Sequence, residues 1–375
     1  MTHQGSPLDV PELLDRCIHW LEKDHPALRI CSLVHRTWLH PARSRLFRAA
    51  DLTTRSGSSA DPTVLFSRCM RLLDVLRSSP HIVQHIRRLD INAKALATEF
   101  DSVADLPFAH VRQLVIRSTS VETAAGIQRL VGIPTLEHLE INSTYTDFGV
   151  WFASCSPALR CVELHFSAPE VELEGHTCTR RVPLHALKLF PYASQNSDPV
   201  SSVSNLIHSL CIFDFSRLKI LSTDARAEII EAMTPFCGEV EVFELRVNLG
   251  FSPTLSFSSF PNLRELYLDL RSTRALPSLF TCLCSIPPSN NITRIVITAQ
   301  KRILKRLSGD LLSTLDATLS SLDLPHLTSV HLALNARVYE GAAHHMGKLI
   351  GRNLLSRVDE DGDWFQSFGC AWRTQ

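Results

Sequence analysis

The 375-residue chain has no excess of either charge: Lys+Arg number 38 and Asp+Glu number 38, for a formal net charge of +0. This balance excludes a global field that would draw the protein to nucleic acid or to anionic lipid. Long apolar runs are absent too, since none approaches the roughly 18–20 residues that a membrane helix needs. The opening Met1-Thr2-His3-Gln4-Gly5-Ser6 is polar, with no apolar signal-peptide core behind it. A soluble protein of the cytoplasm or nucleus is therefore expected. Cysteine is plentiful, at 11 residues, but lacks a pairing pattern. The count is odd, and Cys17, Cys31, Cys69, Cys155, Cys211 and Cys237 lie scattered among apolar neighbours. This argues against the disulfide framework of small secreted domains and for reduced, core-packed thiols.

Catalytic signatures are equally scarce. Gly-x-Ser-x-Gly, His-Glu-x-x-His and Gly-x-Gly-x-x-Gly do not occur. Gly341 to Gly347-Lys348 imitates a phosphate loop, but five residues separate the glycines and Leu349 stands where magnesium needs a hydroxyl. Asp359, Asp361 and Asp363 imitate the first ligands of a calcium loop. Trp364 then takes the glycine position and Cys370 the bidentate glutamate position, where the geometry is strictest. Cys282-x-Cys284 and His344-His345 lack the further ligands of a zinc site. The basic run Lys301, Arg302, Lys305 and Arg306 reads as a solvated helix face. No catalytic residue, metal or cofactor is assigned, and the chain is not expected to be an enzyme.

What the chain does have is a repeat. From residue 86 onward the pattern apolar-x-x-apolar-x-apolar recurs, as Ile86-Leu89-Ile91, Val111-Leu114-Ile116, Leu136-Leu139-Ile141, Leu159-Val162-Leu164 and Leu184-Leu187-Leu189. It continues as Phe215-Leu218-Ile220, Val240-Phe243-Leu245, Leu263-Leu266-Leu268, Ile292-Ile295-Ile297 and Leu327-Val330-Leu332. The middle positions are spaced by 25, 25, 23, 25, 31, 25, 23, 29 and 35 residues. A period in the twenties built on a short alternating strand marks a leucine-rich repeat. Three residues after the last apolar position stand Thr119, Thr144, Ser167, Thr223, Asn248, Gln300 and Asn335, with Lys94, Tyr192 and Arg271 as exceptions. A polar side chain there can satisfy backbone groups where the strand bends away, and a buried unpaired group costs about 1–3 kcal/mol. Helical stretches are expected at Val121–Val131, Asp147–Ser154, Asp224–Phe236 and Lys301–Leu322, with Pro134, Pro157, Pro261 and Pro325 stopping the segment before a strand. Loop-rich stretches are expected at Ala168–Pro183 and Tyr192–Ser204, and a linker at Thr53–Asp61. The resulting fold class is α/β, a curved solenoid over residues 49–375 with parallel strands inside and helices outside.

Residues 8–48 differ from the repeats. Leu14, Cys17, Ile18 and Leu21 form one stripe of a helix that Pro11 opens. A second helix is expected from about Ala27 to Leu39, with Ile30, Leu33, Val34 and Trp38 as its apolar edge. Two such helices expose more apolar surface than they can hide between themselves, so the surplus must meet the repeats or a partner.

The order Pro11-Glu12-Leu13-Leu14, Ile18, Leu21, then Cys31-Ser32-Leu33-Val34-His35-Arg36-Thr37-Trp38, closing at Ala42-Arg43-Ser44-Arg45-Leu46-Phe47, resembles an F-box. Together with Leu76-Arg77-Ser78-Ser79-Pro80-His81 and Ile86-Arg87-Arg88-Leu89, it is similar to the F-box proteins with degenerate leucine-rich repeats of mushroom-forming fungi. The usual Leu-Pro-x-Glu opening is altered here to Asp9-Val10-Pro11-Glu12. The resemblance implies that residues 8–48 dock on the Skp adaptor, and through it a cullin, of a ubiquitin ligase while the solenoid holds a client protein. Pro11, Leu14, Ile18, Leu21, Leu33, Val34 and Trp38 are the adaptor-facing set on this reading. The alternative is a leucine-rich-repeat scaffold or inhibitor whose N-terminal helices only cap the solenoid.

A client surface is expected on the strands. The residue after each middle apolar position turns away from the core: Asp90, Val115, Glu140, Glu163, Lys188, Lys219, Glu244, Tyr267, Val296 and His331. The first third is acidic, whereas Lys188, Arg217 and Lys219 make the centre basic, near Phe190, Leu221, Arg246 and Tyr267. Arginine and aromatics are enriched among binding hot spots, so Lys188, Phe190, Arg217, Lys219, Arg246 and Tyr267 form the expected client patch.

Overall fold

The computed structural model describes residues 10–53, 62–119, 123–143, 148–166, 181–191, 210, 212–224, 227–248, 256–299, 303, 309–333 and 344–358. The expected loops and linker fall largely outside these residues. So do Lys301, Arg302, Lys305 and Arg306, the three aspartates near residue 361, and Thr144, Ser167, Gln300 and Asn335 of the polar slot.

Three helices lead: α1 (Pro11–Trp20), α2 (His25–Val34) and α3 (Arg36–Leu46). The single second helix expected from Ala27 to Leu39 is in fact two. His35 adopts an extended backbone (φ −150°, ψ 148°) that ends α2, and its side chain accepts from the Thr37 amide to start α3. Asp24 caps α2 by accepting from the Ala27 amide at 3.0 Å. The helices enclose a small core of Leu14, Ile18, Leu28, Cys31 and Ala42, with Leu21, Trp38 and Leu46 packed against it.

Strands and helices then alternate: β1 (Ala49–Leu52), α4 (Pro62–Ser78), α5 (Pro80–Val83), β2 (Arg88–Asn92), α6 (Phe100–Ala104), β3 (Gln113–Arg117), α7 (Ala124–Val131), β4 (His138–Ser143), α8 (Phe148–Phe152) and β5 (Cys161–Phe166). The two-residue strands β6 (Val182–Pro183) and β8 (Phe213–Asp214) lie outside the main ladders, which resume with β7 (Ala186–Pro191) and β9 (Ile220–Asp224). After these come α9 (Ala227–Met233), β10 (Val242–Val247), β11 (Glu265–Leu270), α10 (Leu276–Cys284), β12 (Arg294–Ala299), α11 (Gly309–Ser321), β13 (Ser329–Ala333), α12 (Gly347–Gly351) and β14 (Leu355–Val358).

The described residues divide into two compact units, the first running to Val182 and also taking Leu210 and Ile212, the second holding Pro183–Pro191 and everything from Phe213. The first unit holds α1–α3 and β1–β5; its strands pair in parallel and in sequence order. Leu89, Leu114, Leu139 and Val162 stand in one row of partners, as do Ile91, Ile116, Ile141 and Leu164, and all are buried. Helix and strand share this core, for Phe148 of α8 meets Phe166 of β5 edge-on at 6.1 Å. Gly126 is required where α7 crosses α6, because a Cβ there would lie 2.6 Å from the Phe100 ring. In the polar slot, Thr119 is buried and hydrogen-bonds Ser143, whereas Lys94 is exposed.

The second unit runs β7, β9, β10, β11, β12, β13 and β14, again parallel and in order. One register differs from the sequence expectation. Leu221, and not Leu218, pairs with Leu187 on one side and Phe243 on the other. The repeat therefore reads Leu218-x-x-Leu221-x-Thr223, with Thr223 fully buried in the position usually apolar. The intervals 187 to 221 and 221 to 243 replace the expected 187 to 218 and 218 to 243. These strand-and-helix repeats have leucine-rich-repeat character in both units.

Candidate functional site

Two kinds of surface emerge, one helical and one on the strands. On α1, Leu14 and Ile18 point inward, only 3% and 0% exposed, and Leu21 packs beside them. These residues belong to the interior of the helical unit and not to its outer face, which corrects the expected adaptor-facing set. The physical reason is that three short helices can enclose a core where two could not. Trp38 likewise lies half-buried against this core, whereas Pro11 is exposed at the first turn of α1.

The outer face carries other apolar residues. Leu13, Cys17 and Trp20 are exposed at helical spacing on α1, and Ile30, Leu33 and Val34 on α2, with Trp20 at 86% and Leu33 at 85%. Leu33 and Val34, both of the expected adaptor-facing set, are exposed. Val10, Leu13 and Trp20 were missed, although Leu13-x-x-x-Cys17-x-x-Trp20 is as clear a stripe as the one chosen. Ion pairs brace the unit: Arg45 to Asp15 at 3.3 Å and Arg48 to Glu22 at 2.6 Å.

On the strands of the first unit, Asp51, Asp90, Val115, Glu140 and Glu163 fall in one row of partners. Arg88 forks onto Asp90 at 2.8 and 2.9 Å, Arg117 lies 3.5 Å from Glu140, and His165 meets Glu163 at 2.8 Å. Burial, with Glu163 beside it, raises the Glu140 carboxyl above its ordinary value.

In the second unit the corresponding row is Lys188, Ser222, Glu244, Tyr267, Val296 and His331. Ser222 replaces the expected Lys219, which precedes β9 and bridges Glu239 at 3.1 Å and Glu241 at 2.9 Å. Those bonds raise the Lys219 pKa and lower that of Glu241. Arg217 lies exposed in a short 3-10 turn before the strand, off this row. Lys188, Arg246 and Tyr267 are half-buried on the strands, and Arg246 stacks 3.2 Å above the ring of buried Phe190. Tyr267 donates to Glu265 at 2.6 Å, while Ser222 donates to Glu244 at 2.7 Å. Burial and the Glu265 bond push the Tyr267 phenol well above its usual range, and burial pushes His331 below its own. The structure thus stacks Arg246 on Phe190 and sets Lys188 and Tyr267 in one row of partners, with Arg217 and Lys219 off that row.

Among the described residues, no three or more His, Cys, Asp or Glu side chains converge as metal ligands would. Cys282 is buried, with its thiol pushed up to about 12, whereas Cys284 is exposed. Also among the described residues, no helix is long and apolar enough to cross a membrane.

No family model and no curated protein matches the sequence. Among solved structures, the leucine-rich repeat-containing protein LegL7 from Legionella pneumophila superposes with a TM-score of 0.46 at 13% identity, over 81% of this chain and 98% of that one.

Proposed function

We propose that this chain is a non-catalytic substrate-recognition subunit of a Skp–cullin–F-box ubiquitin ligase. The helical unit docks on the Skp adaptor, and a strand face of the repeats holds a client protein. The resemblance of residues 8–48 to an F-box motivates the reading. The observation that carries it is the outer apolar face of a unit that has a core of its own, since a soluble surface rarely leaves several large apolar side chains open without a partner. Leu33 and Val34 remain the centre of the docking set, joined by Trp20, Leu13 and Ile30. Leu14, Ile18, Leu21 and Trp38 support that face from beneath. For the client, Lys188, Arg246 stacked on Phe190, and Tyr267 offer a cationic and aromatic patch of the kind that dominates interface energetics.

Replacing Leu33 and Val34 together by aspartate tests the docking half. Both side chains are exposed, so the variant should fold as the parent does while co-purification with the Skp adaptor is lost. Adaptor capture unchanged in a folded variant would reject this surface.

A second reading, a leucine-rich-repeat scaffold or inhibitor with a helical cap, is favoured by one observation. His40 of α3 packs edge-on against buried His85, which leads into β2, with ring centroids 5.1 Å apart, so the helical segment is in contact with the first repeat.

A further inference from the structure

The seam between α3 and the first repeat is built from an unusual set of side chains. His40 of α3 and His85, just after α5, bring their ring centroids to 5.1 Å with the planes at 75°. His85 is buried, at 7% exposure, and the chain runs from it into β2, whose leading amides are held by Arg48. The charged and titratable groups acting on His85 are His40 and Arg43 from α3, His81 from α5, and Arg87 from the approach to β2. Every one of them is a cation or becomes one on protonation. Arg87 itself faces Arg48 and Arg112. Within the helical unit, Glu22 pairs with Arg48 and Arg45, and Asp15 with Arg45.

We propose that the His40–His85 contact is a pH-sensitive latch that seats the N-terminal helices on the first repeat while the buried His85 ring is neutral and releases them when that ring takes a proton. A proton on His85 would be buried among like charges, and among the described residues no carboxylate acts on it, which is costly in a low-dielectric seam. Burial first, and then the neighbouring cations, hold His85 below its ordinary value of 6.5. Well above pH 6.5 the ring is neutral whether seated or released, so pH has no effect through it. As pH falls below 6.5 the released form takes up the proton first, and release is favoured. The consequence is an N-terminal unit whose placement depends on acidity within a range cells use.

Hydrogen exchange of the full chain, without any partner, tests this at pH 7.5 and 5.5 after correction for intrinsic rates. Amides of α3 and α5 should lose protection several-fold at the lower pH while those of β4 keep theirs. His85→Gln should abolish that difference. If His85→Gln does not fold, His40→Gln removes the facing ring and should shrink the difference, and the His85 ring resonance should titrate closer to 6.5 than in the parent. Protection at the seam that does not change with pH in the parent overturns the latch. So does an equal change in the parent and in whichever variant folds.

Discussion

At the scale of single residues, the row Asp51, Asp90, Glu140 and Glu163 packs negative charge onto one strand face with only partial relief. For Glu140, burial and Glu163 outweigh the opposing pull of Arg117 and His165, so its carboxyl stays protonated to a higher pH than usual. A carboxyl raised on folding holds its proton more tightly in the native state, so native stability declines as pH climbs above the ordinary 4.5. Glu140→Gln removes that decline. Urea midpoints at pH 4.5 and pH 7.5 should fall less between the two for the variant than for the parent, and parallel changes would show that Arg117 already neutralises the site. The same reasoning separates the cysteines. Burial pushes Cys237 and Cys282 up to about 12, which makes them poor nucleophiles, while Cys17 and Cys284 stand in solvent.

At the scale of elements, the strands were the most legible part. The Leu-x-x-Leu-x-Leu spacing located every main strand from β2 to β13 except β9, because alternation directly encodes which side chains are buried. Register failed at β9 because Thr223 occupies an apolar position, so Phe215-Leu218-Ile220 matched the pattern better than the true Leu218-Leu221-Thr223. That three-residue slip placed Lys219 in a row that Ser222 occupies. In the helical unit, α1 carries two apolar stripes, and periodicity cannot tell which faces inward until α3 is known to close over one of them. The break at His35 was hidden because Leu33-Val34-His35-Arg36 has no proline or glycine to announce it. Asp316 shows how the repeats are joined side to side: buried in α11, it accepts from the Lys348 and Leu349 amides at 3.0 and 2.9 Å, holding the first turn of α12. Asp316→Ala leaves those donors without their acceptor and should cost about 1–3 kcal/mol. A denaturation midpoint equal to the parent's would mean that another group takes over the two amides.

At the scale of the whole molecule, the question is whether α1–α3 are a module or a lid for the repeats. Their separate core argues for a module, and deletion of residues 1–45 measures it. The melting temperature of the remaining chain should stay within a few degrees of the parent's, since a loss of 1 kcal/mol moves it by roughly 2–4 °C in a domain of 150–250 residues and by less in a longer one. A fall of ten degrees or more would mean that the helices shield the core of the first repeat, and the scaffold reading would gain. The ladder itself carries a consequence for inheritance. Leu89 stands beside Leu114 and Leu114 beside Leu139, so excising the stretch between two such equivalent positions would set Leu89 next to Leu139 with all other partners in phase. Leu187 and Leu221 keep the same pairing across a longer interval, so extra chain between strands does not disturb it. A gene encoding this layout can gain or lose repeats by unequal recombination, or lengthen the segments between them, and still yield a protein whose strands align. The surface offered to partners can thus diversify quickly while the ladder that presents it is passed on unchanged.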